Sequence, residues 1–193
     1  MKSAWQADLF KFAPHRTVGV AHGAKEKRKE IIANDYEYII INYDGVNVVK
    51  DAIAKGGFDL VIIDEANAYK NCTTNRWKLI NKLVTLDTWM WMLTGTPAAQ
   101  SPLDAHGLAK LCVPNNVTPS KMRFKDAVMY PVSKFKWMAK PNAQDVVHKT
   151  LQPAIRFTKE QCLDLPEVTY VDREAPLTLQ QKHYYKKQTK NKI

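Results

Sequence analysis

Cysteine is scarce in this chain, and what there is does not cluster. Cys72, Cys112 and Cys162 lie far apart, with no CxxC pair and no His group beside them. That excludes a zinc knuckle or a disulfide framework as the organising device and marks the thiols as reduced and inert. Long apolar runs are also lacking. Stretches such as Ile39-Ile40-Ile41 and Leu60-Val61-Ile62-Ile63 fall far short of the roughly 20 residues that cross a bilayer. Met1-Lys2-Ser3-Ala4-Trp5-Gln6-Ala7-Asp8 has no apolar signal region either. The expectation is a protein of the cytoplasm or nucleoid with no membrane partner. Acid is the third shortage: 19 Asp and Glu stand against 29 Lys and Arg, leaving +10. Such a surplus favours polyanions through counterion release, and nucleic acid is the first partner to consider.

What is present is an ordinary globular composition, 45% apolar and 25% charged over 193 residues, enough for one main core with appendages. Up to about residue 113 short apolar strands alternate with helical segments, the rhythm of a parallel sheet wrapped by helices. Strands are expected at 17–22, 36–42, 58–63 and 88–93, and helices at 24–34, 43–55 and 74–84. Gly56-Gly57 closes the second of these helices.

After Pro114 the pattern changes. Seven prolines from Pro114 to Pro176 punctuate a region expected to hold loops, short helices and linker. Between Lys121 and Lys140 six basic residues interleave with Phe124, Tyr130, Phe135 and Trp137, and Asp126 is the only acid. Basic and aromatic residues together suit nucleic acid. They equally suit an irregular segment anchored by its aromatics with lysines in water, and the sequence leaves both readings open. The five lysines from Lys182 to Lys192 read as a solvated end.

Chemistry concentrates at two strand ends. Leu60-Val61-Ile62-Ile63 runs into Asp64-Glu65-Ala66-Asn67, so two carboxylates follow an apolar strand that cannot hold them inside. At the C-terminal end of a parallel strand they face the crevice where α/β sheets bind ligands. There Asp64 suits a Mg²⁺ ion held through water, and Glu65 suits an attacking water. About 30 residues on, Trp91-Met92-Leu93 runs into Thr94-Gly95-Thr96-Pro97. Thr94 and Thr96 bring hydroxyls to the same crevice, Gly95 permits a tight backbone, and Pro97 ends the strand. Each pattern alone also fits a plain strand end or a strand-to-helix cap.

Together, Asp64-Glu65-Ala66-Asn67 and Leu93-Thr94-Gly95-Thr96-Pro97 resemble motifs II and III of the superfamily-two helicases. The Swi/Snf branch fits best. Trp5, Lys11-Phe12-Ala13-Pro14, His22-Gly23 and Asn42-Tyr43-Asp44 occur in the order typical of that branch's first lobe. Ser101-Pro102-Leu103-Asp104, Leu151-Gln152-Pro153, Arg156, Lys159 and Leu165-Pro166 resemble the path out of that lobe, and Gln181 and Tyr184 the beginning of the second. The chain is similar to compact phage and bacterial members; for a phage member the compartment is the host cytoplasm. The resemblance implies an α/β fold: a partial RecA-like parallel sheet flanked by helices, with an irregular C-terminal extension. It divides the chain into a partial motor lobe (1–113), a basic and aromatic extension closing that lobe (114–176), and the start of a linker to a second lobe (177–193). It also implies catalytic roles for Asp64 and Glu65, a Mg²⁺ held by Asp64 through water, and coupling roles for Asn67, Thr94, Gly95 and Thr96. Asn42 and Tyr43, in motif Ib, would touch phosphates of one DNA strand without reading sequence. Trp5 reads as a packing anchor and His22 as a turn residue.

Departures from the family pattern shape the functional expectation. No glycine in the chain is followed by lysine, so the backbone nest and Lys that cradle a triphosphate are not found here. The complete protein is expected to use ATP and Mg²⁺, to act nonspecifically on the backbone of double-stranded DNA, and to need a phosphate-loop segment and a second motor lobe in cis or in trans. This chain alone is expected to bind neither cofactor tightly and to show no appreciable ATPase. Asn67 stands where the family usually has His, and Phe157 where a second Arg is common after Arg156. The alternative is a standalone, non-catalytic module that binds DNA or a partner on a helicase scaffold. A third reading, an unrelated magnesium enzyme, needs a further carboxylate such as Asp44 or Asp104 at the same crevice.

Overall fold

Four-residue apolar strands followed by polar or helical segments build the first half of the molecule. A computed structural model describes residues 2–85, 87–162 and 171–190. Leu165-Pro166 and Lys192 lie outside them. By internal contacts the chain divides into two units, residues 1–154 and 155–193.

The first unit begins with helix α1 (Lys2–Phe12), strand β1 (Val18–Ala21), helix α2 (Lys25–Ala33) and strand β2 (Tyr38–Ile41). β1 and β2 pair in parallel, Val18 opposite Tyr38 and Ala21 opposite Ile41. The helix expected over 43–55 is broken into α3 (Tyr43–Val48) and α4 (Lys50–Lys55) at Val49, which has φ −124° and ψ 24°. Val49 leaves helical geometry and is buried in a small core with Ala21 and Ile32. Strand β3 (Leu60–Ile63), helix α5 (Asn75–Leu83) and strand β4 (Trp89–Met92) follow, and β3 pairs with β4 in parallel. Thr74 caps α5, its hydroxyl oxygen accepting from the Trp77 N–H at 3.3 Å.

The period-two pattern of a strand gives the β3–β4 pair two unlike faces. Val61, Ile63, Met90 and Met92 turn to the main core with Tyr69, Trp77, Ile80 and Leu108. Burying side chains of this size contributes about 1.5–3 kcal/mol each. Leu60, Ile62, Trp89 and Trp91 share the other face, where Trp89 is 74% and Trp91 55% exposed.

Helix α6 (Ala105–Cys112) is buried along most of its length. Its Gly107 lies against the turn after β3, where an added Cβ would come within 2.1 Å of the Lys70 carbonyl oxygen. Trp77 Nε1 donates to the Gly107 carbonyl at 2.8 Å, fixing the same junction from the other side. Helix α7 (Lys121–Val128), capped by Ser120, and helix α8 (Ala143–Thr150) enclose a second core around Ala105, Phe124 and Val128. Between them an antiparallel hairpin joins β5 (Met129–Pro131) to β6 (Trp137–Ala139). The loop-rich expectation for this stretch missed the hairpin, whose turn at Ser133–Lys136 carries no Gly, Pro or Asn.

The second unit contains α9 (Lys159–Cys162) and α10 (Leu179–Lys190); on α10, Leu179, Tyr184 and Tyr185 are exposed. Among the described residues no helix is long and apolar enough to cross a membrane.

Candidate functional site

Ile63 is the last residue of β3, and the chain places Asp64 and Glu65 just past the sheet. Glu65 takes a left-handed conformation, φ 48° and ψ 51°. A non-glycine residue there costs about 1 kcal/mol. The turn it makes swings the next amide back toward β4. The Leu93 N–H donates to the Ile63 carbonyl at 2.8 Å, and the Leu93 carbonyl accepts from the Ala66 N–H at 2.9 Å. The β3–β4 ladder therefore extends one step beyond the strands, and it holds the two predicted motifs side by side.

The Asp64 carboxylate is oriented at both oxygens. Oδ2 accepts from the Trp5 indole Nε1 at 3.0 Å, and Oδ1 from the Glu65 backbone N–H at 2.9 Å. Glu65 itself is exposed. Asn67 Nδ2 donates to Thr96 Oγ1 at 3.5 Å, and Thr94 Oγ1 accepts from the Thr96 N–H at 3.3 Å. Asn67 Oδ1 is shut off from solvent and has no hydrogen-bond partner among the described residues. Gly95 departs from the reading of it as a tight backbone point: an added Cβ would meet nothing within 4 Å, and its φ is not positive.

Tyr43 reaches this turn from the start of α3. Its hydroxyl donates to the Asp64 carbonyl oxygen and, at 3.3 Å, to that of Glu65. Its ring meets Tyr69 edge-on at 5.4 Å, and the Arg76 guanidinium lies 5.1 Å from its centroid. Burial, then the Asp64 charge, raises the Tyr43 phenol above its ordinary pKa; burial pushes Tyr69 up to about 12. The Tyr43 hydroxyl therefore stays a proton donor near neutrality.

Asn42, expected with Tyr43 to form motif Ib, is exposed at the end of β2. Its Oδ1 accepts from Arg28 Nη1 at 2.9 Å, and Arg28 also donates to the carbonyls of Ala21 (3.1 Å) and Gly23 (2.8 Å). Arg28 thus ties the ends of β1 and β2 together. Gly45 makes room for it, since a Cβ there would come within 2.2 Å of Arg28 Nη1.

Asp44 and Asp104 have other partners. Asp44 pairs with Arg76 at 3.1 Å, and Asp104 with Lys70 at 3.5 Å. No group of three or more metal-ligating side chains occurs among the described residues. The donor set at the turn is two adjacent carboxylates with threonine hydroxyls nearby. Such a set fits a Mg²⁺ that keeps most of its waters and is shared with phosphates, and does not fit an all-protein cage.

Sequence reasoning missed Trp5 as part of the site. An indole N–H that is half-buried needs an acceptor, which was the available signal, but nothing in spacing links residues 59 apart to one another. Arg28 and Arg76 were missed for the same reason.

The SNF2-related domain family model matches residues 1–193. A Drosophila melanogaster protein, the SWI/SNF-related matrix-associated actin-dependent regulator of chromatin subfamily A containing DEAD/H box 1 homolog, is 25% identical over 94% of this chain and 23% of its own length. The Danio rerio chromodomain-helicase-DNA-binding protein 1-like is 26% identical over 94% of this chain and 18% of its own. The solved structure of the Sulfolobus solfataricus SWI2/SNF2 ATPase core in complex with double-stranded DNA superimposes with a TM-score of 0.62 at 28% identity, covering 98% of this chain and 39% of that one. The chain thus spans under a quarter of these two curated relatives. With the family model matched along its whole length, this chain belongs to the SNF2-related domain family, the Swi/Snf type of superfamily-two helicase.

Proposed function

We propose that these residues form part of the first motor lobe of an ATP-driven translocase on double-stranded DNA. The observation that carries this reading is the bonded junction of the two turns, Ala66 N–H to Leu93 carbonyl and Asn67 to Thr96. Bound Mg²⁺ would neutralise charge developing on the β- and γ-phosphates. Asp64, fixed by Trp5 and its own turn, would hold the ion through water. Glu65, turned out by its left-handed backbone, orients the attacking water and accepts its proton. Asn67, Thr94, Gly95 and Thr96 pass the state of that site to β4.

Asn42 lies where motif Ib would meet a phosphate, and Tyr43 links that segment to the carboxylate turn. DNA contact there is to the backbone and independent of sequence. A phosphate loop and a second lobe, in cis or in trans, complete the motor, because hydrolysis by positioning and electrostatics needs all the parts in place. The site of action is wherever duplex DNA is reached, the nucleoid or the cytoplasm. A non-catalytic module that only occupies DNA is the alternative outcome of the test.

The test measures binding of this chain to a short duplex and to a labelled ATP analogue with Mg²⁺, across a salt series, beside a D64A/E65A double variant. Steeply salt-dependent duplex binding, together with ATPase that appears only when a phosphate loop and second lobe are supplied and disappears in the double variant, supports the reading. ATPase that survives the double variant would falsify it. Duplex binding with no ATPase in the completed assembly would favour the module.

A further inference from the structure

The hairpin between α7 and α8 carries features that the carboxylate site does not use. Its turn is closed by the Lys136 N–H donating to the Ser133 carbonyl at 3.2 Å, which leaves Lys134 and Phe135 as the two central residues. Phe135 is 88% exposed at this tip. The ring joins none of the hydrophobic cores, and what it meets within its own chain is the Lys134 ammonium, 5.6 Å from its centroid.

The base of the hairpin is fixed. Lys125 Nζ lies 3.5 Å from the centroid of the Trp137 ring, and Lys140 Nζ donates to the Asp126 carbonyl. Phe124, part of the same basic and aromatic stretch, is 3% exposed and anchors α7 to the core. One aromatic of the stretch therefore packs inside and another is presented outside, which divides the two readings left open by the sequence.

Charge selects the partner. Lys134 and Lys136 flank Phe135, and from Lys121 to Lys140 six basic residues face one acid. A polyanion meets this surface with favourable counterion release. A narrow groove bordered by phosphates on both sides suits a ring whose neighbours in sequence on either side are lysines. The minor groove, about 6 Å wide, has that shape, and apolar wedges enter it without reading a base pattern.

We propose that the Ser133–Lys136 tip is a second contact to double-stranded DNA, with Phe135 entering the minor groove and Lys134 and Lys136 pairing with the phosphates on its rims. This rests on the reading that duplex DNA is the chain's partner, and it adds a site apart from Asn42 and the carboxylate turn. The contact anchors the protein on the duplex without specifying sequence.

The experiment is fluorescence anisotropy with the whole chain on a labelled A·T-rich duplex from low to moderate salt. Wild type is compared with F135A, K134Q/K136Q and N42A, with circular dichroism and melting to show that each variant folds. F135A should weaken binding about tenfold, the size of one apolar or stacking contact to a base, with the salt slope unchanged. K134Q/K136Q should make the log–log salt slope shallower by about 1.8, two phosphate contacts at about 0.9 each. A small molecule that fills the minor groove should abolish the difference between wild type and F135A. Folded hairpin variants that bind like wild type while N42A binds weakly overturn this proposal alone. A folded wild-type chain that binds no duplex at any salt overturns the reading beneath it as well. A loss in F135A seen only on single strands also overturns the minor-groove contact.

Discussion

The indole of Trp5 donates to the carboxylate of Asp64 across 3.0 Å, joining the first helix of the chain to the end of β3. A hydrogen bond to a carboxylate contributes about 1.5–3 kcal/mol. Because this pair is only part-buried, about 1 kcal/mol is expected. In a double-mutant cycle, W5F and D64A should show a coupling of that size in their urea midpoints, with unchanged m-values. Additive effects would remove Trp5 from the site.

Glu65 stores backbone strain. Replacing it with glycine removes the Cβ that disfavours the left-handed region and costs no buried contact, since the side chain is exposed. E65G should therefore stabilise the chain by about 1 kcal/mol while deleting the carboxylate proposed to orient water. A denaturation midpoint that falls would mean that the Glu65 side chain makes stabilising contacts of its own. A gain in stability at the expense of the reactive group is the usual trade at a working site.

Gly107 sets how closely α6 approaches the turn after β3. A methyl group there would overlap the Lys70 carbonyl, which is backbone and cannot swing aside. G107A should cost about 3 kcal/mol or more, at the upper end of overpacking effects, and should be read as a large drop in melting temperature. An unchanged melting temperature would show that the helix can shift away.

His106, 1% exposed, sits one residue earlier, with Nε2 3.1 Å from the Thr118 carbonyl and Nδ1 unpartnered among the described residues. Burial lowers its pKa, and Lys110 and Lys121 push in the same direction. The unfolded chain therefore takes up this proton more readily than the folded one. The His106 contribution should be intact above about pH 6.5 and should fall as the pH drops from there toward the lowered folded value, by at most about 1.4 kcal/mol per pH unit. Urea midpoints between pH 7.5 and 5 should show this slope in wild type and a shallower one in H106L. Equal slopes would assign the acid sensitivity to other groups.

Much of the site could be read from the residues because its logic is local. An apolar run that stops at Asp64-Glu65 and another that stops at Thr94-Gly95-Thr96 announce two strand ends, and the parallel pairing of β3 with β4 brings them together. Asn67 and Thr96 then meet without any long-range information beyond that pairing. Trp5, Arg28 and Gly107 were not legible in this way. Each acts on a partner set by how α1, α2 or α6 lands on the sheet, and helix placement leaves no mark in spacing. The hairpin escaped notice for a local reason: the two central residues of its turn are Lys134 and Phe135, where a hairpin turn is usually marked by Gly, Asn or Asp. The break at Val49 was hidden because a β-branched residue is tolerated in a helix until a core elsewhere claims it.

The exposed face of the β3–β4 pair gives the protein an optical property. Of its five tryptophans, Trp77 is buried in the main core, whereas Trp89 and Trp91 stand largely in water two residues apart on one strand. Their emission should be red-shifted and open to collisional quenching by iodide. Anything that settles on that face would shift the emission to the blue and shield it from the quencher. Unlabelled protein would thus report the burial of its own sheet as it happens.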